Sequence, residues 1–367
     1  MKIAVHAKML SEDTLNGMGY YTYNLLKAIA SIDRSNSYDL YSSHPLIHKI
    51  DAENFHEKII EFPKFWTYLR LPVELRKDRH DIIFVPHEKM PPFSKGRKVI
   101  TVFDLHSLKQ YFRSPISISA KLHFLAAITC TIKRADRILA ISESTKRSIL
   151  DVTGVDASRV IVTPLGYDSR LFYKRGPEEI EKVRKKYGIK KKYLINTSSL
   201  LWYRKNLPRV VRAFAGFKGR SEMNFIITGR RGEDYEKIIR TIDELGLKDN
   251  VILLGYVPVE DLPVLISGAQ ALVFPSLHEG FGLPIVEAMA CGCPVITSDS
   301  SSMPEVAGDC GILIDPLDED AMASAMDKIT CDSALRERMI KQGLERAKIF
   351  SWEKTAKQTL KVFESLA

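Results

Sequence analysis

Short apolar runs rich in β-branched residues alternate along the chain with stretches of helical spacing, and this alternation constrains the fold most. In the first half the runs lie at residues 3–7, 39–42, 82–85, 99–103, 138–141 and 160–163. In the second half they lie at 193–197, 225–228, 251–254, 271–274, 294–297 and 312–314. Apolar strands separated by helices predict an α/β protein whose parallel sheets are covered on both faces. Twelve strands are too many for one ordinary sheet, so two sheets of about six are expected. A length of 367 residues also suits two domains better than one core.

Residues 170–192 are dense in charge, and Gly188 is followed there within a few positions by Lys190, Lys191 and Lys192. They read as the join. The expected domains are 1–172 and 173–350, with 351–367 as a last helix. Trp352, Ala356, Leu360 and Phe363 fall at helical spacing, which lets that helix pack back across the first domain. The cysteines (Cys130, Cys291, Cys293, Cys310 and Cys331) form no C-x-x-C pair, so neither a disulfide framework nor a zinc site is expected. No apolar run reaches the ~20 residues that span a bilayer. The opening Met-Lys-Ile-Ala-Val-His reads as a strand rather than a secretion signal, and a cytoplasmic location is expected.

The basic excess is one-sided. Residues 1–175 carry 27 Lys and Arg against 18 Asp and Glu, whereas residues 176–367 carry 27 of each. Such a field favours an anionic partner on the first domain: lipid headgroups, a phosphate-bearing acceptor or nucleic acid. A solvated basic surface without a partner explains it equally well. Trp66, Tyr68, Leu69, Leu71 and Val73 interleave with Arg70, Arg76 and Lys77. Ile118, Leu122, Leu125, Ile128 and Ile132 form a second stripe. Either can lie on a membrane surface, although core packing suits the second better.

Four blocks carry the chemistry, each in a loop after a strand, where doubly wound sheets bind ligands. The most specific runs from Pro275 to Gly292 and includes Glu279, Gly280, Phe281, Gly282, Leu283 and Glu287. Its glycines permit close backbone approach, and the helix expected from Leu283 offers amide groups to a phosphate. Glu279 and Glu287 can grip the hydroxyls of a sugar and a ribose. The second block is Leu200 to Pro208, where adjacent Arg204 and Lys205 can neutralise a departing diphosphate. The third is Asn16-Gly17-Met18-Gly19, before a helix expected at 20–29. The fourth is Thr101 to His106, with Asp104 and His106 as polar groups at a strand end.

The first block resembles the E-x7-E signature of glycosyltransferase family 4, with its G-F-G-L-P context. The likeness extends over nearly the whole chain. It implies the GT-B architecture: two Rossmann-like, doubly wound parallel-sheet domains facing a cleft, with a C-terminal helix returning to the first domain. It further implies that Glu279 contacts the donor sugar and Glu287 the ribose. The backbone at Phe281, Gly282 and Leu283 would meet the sugar and diphosphate. Lys205 would bind the donor phosphates, with the Gly17–Gly19 loop closing over them. Gly229, Tyr256 and Val257 resemble loops that line the base pocket. Two departures stand out. Many members carry an arginine where this chain has Ser199, and His-Asp where it has Phe103-Asp104. Arg204 and His106 are the nearest groups able to replace what is missing.

The implied reaction retains anomeric configuration and uses a nucleotide sugar as co-substrate, with no cofactor and no bound metal. The pattern is most similar to mannosyltransferases of surface-polysaccharide assembly, which favours GDP-mannose over UDP-linked donors and a glycan or lipid-linked acceptor. Contact with an anionic membrane through the basic domain fits that setting. A nucleotide-sugar epimerase can share the architecture. A glycoside hydrolase would not need the phosphate-binding set, and a nucleic-acid-binding protein would leave Glu279 and Glu287 without a role. Ser302-Met303-Pro304-Glu305 has capping-box spacing, and Asp318-Glu319-Asp320 reads as an acidic first helical turn rather than a metal motif.

Overall fold

The computed structural model describes residues 1–62, 64–105, 128–198, 203–232 and 235–367. The chain divides into two compact units: Met1–Gly166 with Trp352–Ala367, and Tyr167–Ser351. All strand pairings within the two sheets are parallel. Among the described residues, no helix is long and apolar enough to cross a membrane.

The first sheet contains β1 (Lys2–His6), β2 (Ser37–Ser42), β3 (Phe55–Ile59), β4 (Ile82–Val85), β5 (Arg97–Val102), β6 (Arg137–Ala140) and β7 (Val160–Val162). Their order is β3-β2-β1-β4-β5-β6-β7. Ile3 pairs with Tyr38 on one side and Ile82 on the other, so the direction of winding reverses between β1 and β4. Strand β3 is an addition to the expected set. In Phe-His-Glu-Lys-Ile only Phe55 is buried, so this edge strand lacks an apolar run. Its charged exposed side chains discourage edge-to-edge pairing.

The helix Gly17–Ile32 buries Tyr21, Leu25, Leu26 and Ile29, a spacing that keeps one face on the core. It begins a turn earlier than the sequence suggests, because Asn16 caps it: the Asn16 side chain accepts the Gly19 amide at 2.9 Å. Gly17 and Gly19 therefore lie in the first helical turn rather than in a loop. The last helix, Trp352–Glu364, packs against this one and belongs to the first unit. Trp352 meets Tyr20 and Tyr21 edge-on, and Thr355 donates to the Pro164 carbonyl at 2.6 Å.

The second sheet contains β8 (Lys192–Asn196), β9 (Met223–Thr228), β10 (Val251–Gly255), β11 (Leu272–Phe274), β12 (Val295–Ser298) and β13 (Gly311–Ile314), in the order β10-β9-β8-β11-β12-β13. Its winding reverses between β8 and β11. Helices Leu207–Gly216 and Glu319–Cys331 pack together on one face, with Val210, Val211 and Phe214 in the same core as Met322, Met326 and Ile329. Phe214 stacks on Phe225 at 5.5 Å, and burial of each such ring contributes about 1.5–3 kcal/mol.

Candidate functional site

Ligands of doubly wound sheets bind at the carboxyl ends of the strands where the winding reverses. In the second unit that point is the β8/β11 boundary, and the loops after β8 and β11 carry the two most informative blocks. They are laced together by backbone and side chain. The Leu277 amide donates to the Arg204 carbonyl at 2.7 Å. Asn206, at φ 62°, donates its side-chain amide to the carbonyls of Pro275 and Pro316. Asparagine accepts the left-handed region more readily than most residues, so it can turn the chain here and tie it down at once. Sequence reasoning assigned Asn206 no role. Its position after two cations and before Leu-Pro is the available signal.

Lys205 and Glu279 meet at this point. Lys205 Nζ lies 2.6 Å from Glu279 Oε1 and 5.0 Å from the centre of the Phe274 ring, and both side chains are close to buried. Burial alone would push the Glu279 carboxyl up. The Lys205 ammonium and the Arg204 guanidinium outweigh it and hold the group below the ordinary carboxylate range. Glu279 is thus an anion at neutral pH, aimed at a cation that a bound phosphate would share.

Gly282, at φ 106°, leads into the helix Leu283–Ala290. An L side chain there would be strained and would press on Ile285 at 3.1 Å. The helix begins four residues after Glu279, and its first-turn amides suit an anion. Phe281 is buried edge-on against Phe350. Glu287 lies half-buried on the helix, and burial raises its carboxyl to about 7. Further along the same sheet edge, the Gly229 amide donates to the Gly255 carbonyl at 2.7 Å. That bond joins the loops after β9 and β10, where Tyr256 is 66% exposed under the Arg230 guanidinium and Val257 is buried.

Ser302 corrects an expectation. It precedes the helix Met303–Ala307 but makes no side-chain cap bond. Its hydroxyl instead reaches the carbonyls of Glu279 and Phe281 at 2.8 and 2.7 Å. Asp318 does cap its helix, accepting the Ala321 amide at 2.9 Å, as an acidic first turn should.

In the first unit the reversal lies between β1 and β4. His87, in the loop after β4, is buried against His6 at the end of β1, with Nε2 and Nδ1 3.1 Å apart. Because the Lys89 amide donates to His87 Nδ1, His87 donates from Nε2 to His6. Burial lowers the His6 ring to about 4 and carries His87 well below its usual value, so both are neutral spacers at physiological pH. Asp104 follows β5. The adjoining Phe103 amide donates to the half-buried carboxyl of Glu88 at 3.1 Å, and the Phe103 ring packs edge-on against Tyr21. His106 and Ser199 lie outside the described residues, as do residues 200–202 and most of the 118–132 stripe. Among the described residues, Asp39, Asp78 and His80 alone have metal-ligand spacing. The Lys2 ammonium sits between the two aspartates, 2.6 Å from Asp78 and 3.4 Å from Asp39, and supplies their countercharge.

The glycines of the first unit yield a direct test. A Cβ at Gly17 would meet nothing within 4 Å, whereas one at Gly19 would sit 3.0 Å from Leu15. Gly17→Ala should leave the thermal midpoint unchanged or raise it, since alanine favours a helix by about 1 kcal/mol over glycine. Any loss of activity in that variant then reports ligand approach. A lowered midpoint would show that the fold itself requires Gly17.

The Glycosyltransferase Family 4 profile matches residues 15–171, and the Glycosyl transferases group 1 profile matches residues 179–346. The chain is similar to O-antigen chain mannosyltransferase B of Escherichia coli, 35% identical over 239 residues, which are 64% of this chain and 62% of that protein. It is 29% identical over 240 residues to the serotype-specific mannosyltransferase WbdA of Escherichia coli, covering 64% of this chain and 29% of that one. The chain thus spans less than two thirds of the length of these relatives. Among solved structures, Anabaena Alr3699/HepE in complex with UDP superposes with a TM-score of 0.80 at 18% identity, with both chains fully covered. Sucrose-phosphate synthase from Thermosynechococcus elongatus superposes at 0.77 and 21%, covering 100% of this chain and 98% of that one.

Proposed function

The chain belongs to glycosyltransferase family 4 and has the GT-B fold, and from that premise we propose that it is a retaining hexosyltransferase moving mannose from GDP-mannose onto a glycan or lipid-linked acceptor. The observation that carries this reading is the Lys205–Glu279 contact beside the glycine-led helix end, at the winding reversal of the second sheet. Breaking the sugar–diphosphate bond builds negative charge on the leaving oxygen. Lys205, Arg204 and the amides around Leu283 meet that charge, and the reading assigns the step no divalent ion. The acceptor oxygen forms its bond to the anomeric carbon on the face that the diphosphate leaves. The acceptor proton passes to the departing phosphate, or to Asp104 or His106. Glu279 holds the sugar hydroxyls and Glu287 the ribose; Gly17 and Gly19 approach the diphosphate.

Mannose is favoured because the relatives named above are mannosyltransferases. UDP-linked sugars are the alternative, since HepE is a solved complex with UDP. The epimerase alternative gains nothing from these relatives. The basic first unit supports a cytoplasmic location at the inner membrane face, peripheral and bound through charge. There Phe65, Leu69, Val73 and Phe93 are exposed, with the Arg76 and Arg134 guanidinium groups over the Phe93 ring.

Calorimetric titration with GDP, UDP and ADP tests the donor, and GDP is expected to bind most tightly. Labelled donors offered to lipid-linked and soluble acceptors test transfer, with Glu279→Ala as the inactive control. Equal or absent binding of all three nucleotides would overturn the donor assignment. Transfer undiminished in Glu279→Ala would overturn the site.

A further inference from the structure

Three residues at the reversal point of the second sheet adopt positive φ: Asn206 at 62°, Gly282 at 106° and Ser301 at 61°. Glycine and asparagine enter this region readily; serine does so at a cost of about 1–2 kcal/mol. Ser301 lies in the loop after β12, next to the strand whose loop carries Glu279. Its strained backbone turns its hydroxyl onto that loop. Ser301 Oγ donates to the Glu279 carbonyl at 2.5 Å and accepts the Glu279 amide at 3.2 Å. Ser302, fully buried, shares its proton between the carbonyls of Glu279 and Phe281.

These bonds fix more than position. Among the described residues every peptide bond is trans, and in a trans peptide the carbonyl and the following N–H point in opposite directions. Holding the Glu279 and Phe281 carbonyls against the serine loop turns the N–H groups of Gly280 and Gly282 to the opposite side. The Phe281–Gly282 plane is also the one that launches the helix Leu283–Ala290. We propose that Ser301 and Ser302 are positioning residues: their hydroxyls lock the two peptide planes that aim the Gly280 and Gly282 amides, and the Glu279 carboxylate, at the donor. The proposal rests on the transferase reading and adds to it a preorganising element from a third loop. Amides fixed in advance need no reorganisation as charge develops, so their effect falls on the transition state rather than on ground-state binding.

The test uses the full chain with Ser301→Gly, Ser302→Ala and the double variant. Glycine at 301 keeps the positive φ and removes the hydroxyl, so Ser301→Gly should match or exceed the wild-type thermal midpoint. The double variant should lose about tenfold in kcat for GDP-mannose or UDP-glucose, whichever the wild type uses, while KM for that donor stays within about threefold. Hydrogen exchange at residues 280–283 should quicken by about tenfold or more in the double variant. A kcat equal to wild type, or one lowered only in proportion to the nucleotide-binding sites titrated with GDP or UDP, would overturn the proposal. If the wild type neither transfers sugar nor binds GDP or UDP, the transferase reading fails. The exchange rates then decide the clamp alone, and unchanged rates in the double variant reject it.

Discussion

Lys205→Ala is expected to reduce sugar transfer by roughly a thousandfold and to destabilise the fold by about 3–5 kcal/mol. Both effects come from one contact. The lysine lies 2.6 Å from a Glu279 carboxylate that is itself almost fully buried, so its removal strands an anion away from water. The same substitution deletes the cation assigned to the leaving diphosphate. Two further variants separate the effects. In Lys205→Ala/Glu279→Ala both members of the close pair are gone, and stability should return to within about 2 kcal/mol of wild type, because replacing a whole buried pair costs far less than breaking one. Transfer should stay lost. In Lys205→Arg the charge survives but not the compact ammonium, so stability should hold better than activity.

The pH dependence follows from the Glu279 carboxyl, which is held below its ordinary value in the folded protein. Its stabilising contribution is present above the ordinary carboxylate range and fades as pH falls through the depressed value. The Lys205→Ala penalty should therefore be full at neutral pH and shrink in acid, where a protonated Glu279 no longer needs a cation. Denaturant unfolding against pH, beside steady-state kinetics, measures both. Transfer by Lys205→Ala within about threefold of wild type would remove Lys205 from the reacting centre.

The contact behind this prediction joins residues 74 positions apart, and no spacing rule links them. Each residue was visible as a candidate because each sits in a motif after an apolar strand. Their pairing depends on β8 and β11 being neighbours, a property of the winding order. The strands themselves were legible wherever both faces are buried, as in Met223–Thr228, whose residues are all buried. Phe55–Ile59 escaped because an edge strand can satisfy its backbone with one buried side chain and four solvated ones. The start of the first long helix was misplaced because glycine disfavours helices. The Asn16 cap overrides that propensity, and the cap was written in the sequence. Ser302 shows the opposite failure. Its spacing to Glu305 matches a capping box, yet its hydroxyl bonds to a loop more than twenty residues earlier. Local pattern cannot rank a cap against a tertiary partner that only the fold supplies.

Glu287→Gln should stabilise the free protein at about pH 8 and weaken nucleotide binding there by about ten- to a hundredfold. Burial raises the Glu287 carboxyl to about 7, well above the value it has in an unfolded chain. A carboxyl raised in this way favours the folded state most when protonated. Its contribution is full below the unfolded value and is lost as pH rises through about 7. The stability gap between Glu287→Gln and wild type should therefore open between about pH 5 and pH 8 and close again in acid. Binding runs the other way. A ribose that donates two hydroxyl hydrogen bonds favours the ionised carboxylate and pulls its pKa down, so nucleotide binding near neutral pH should release a proton. Calorimetry of GDP or UDP binding in buffers of different ionisation enthalpy counts that proton directly, and the count should fall to zero in Glu287→Gln. A wild type that releases none, or a variant that binds as tightly, would remove Glu287 from the ribose. If both halves hold, the free fold carries a half-buried acid it would be more stable without, and the nucleotide's hydroxyls are what offset the cost of its charge.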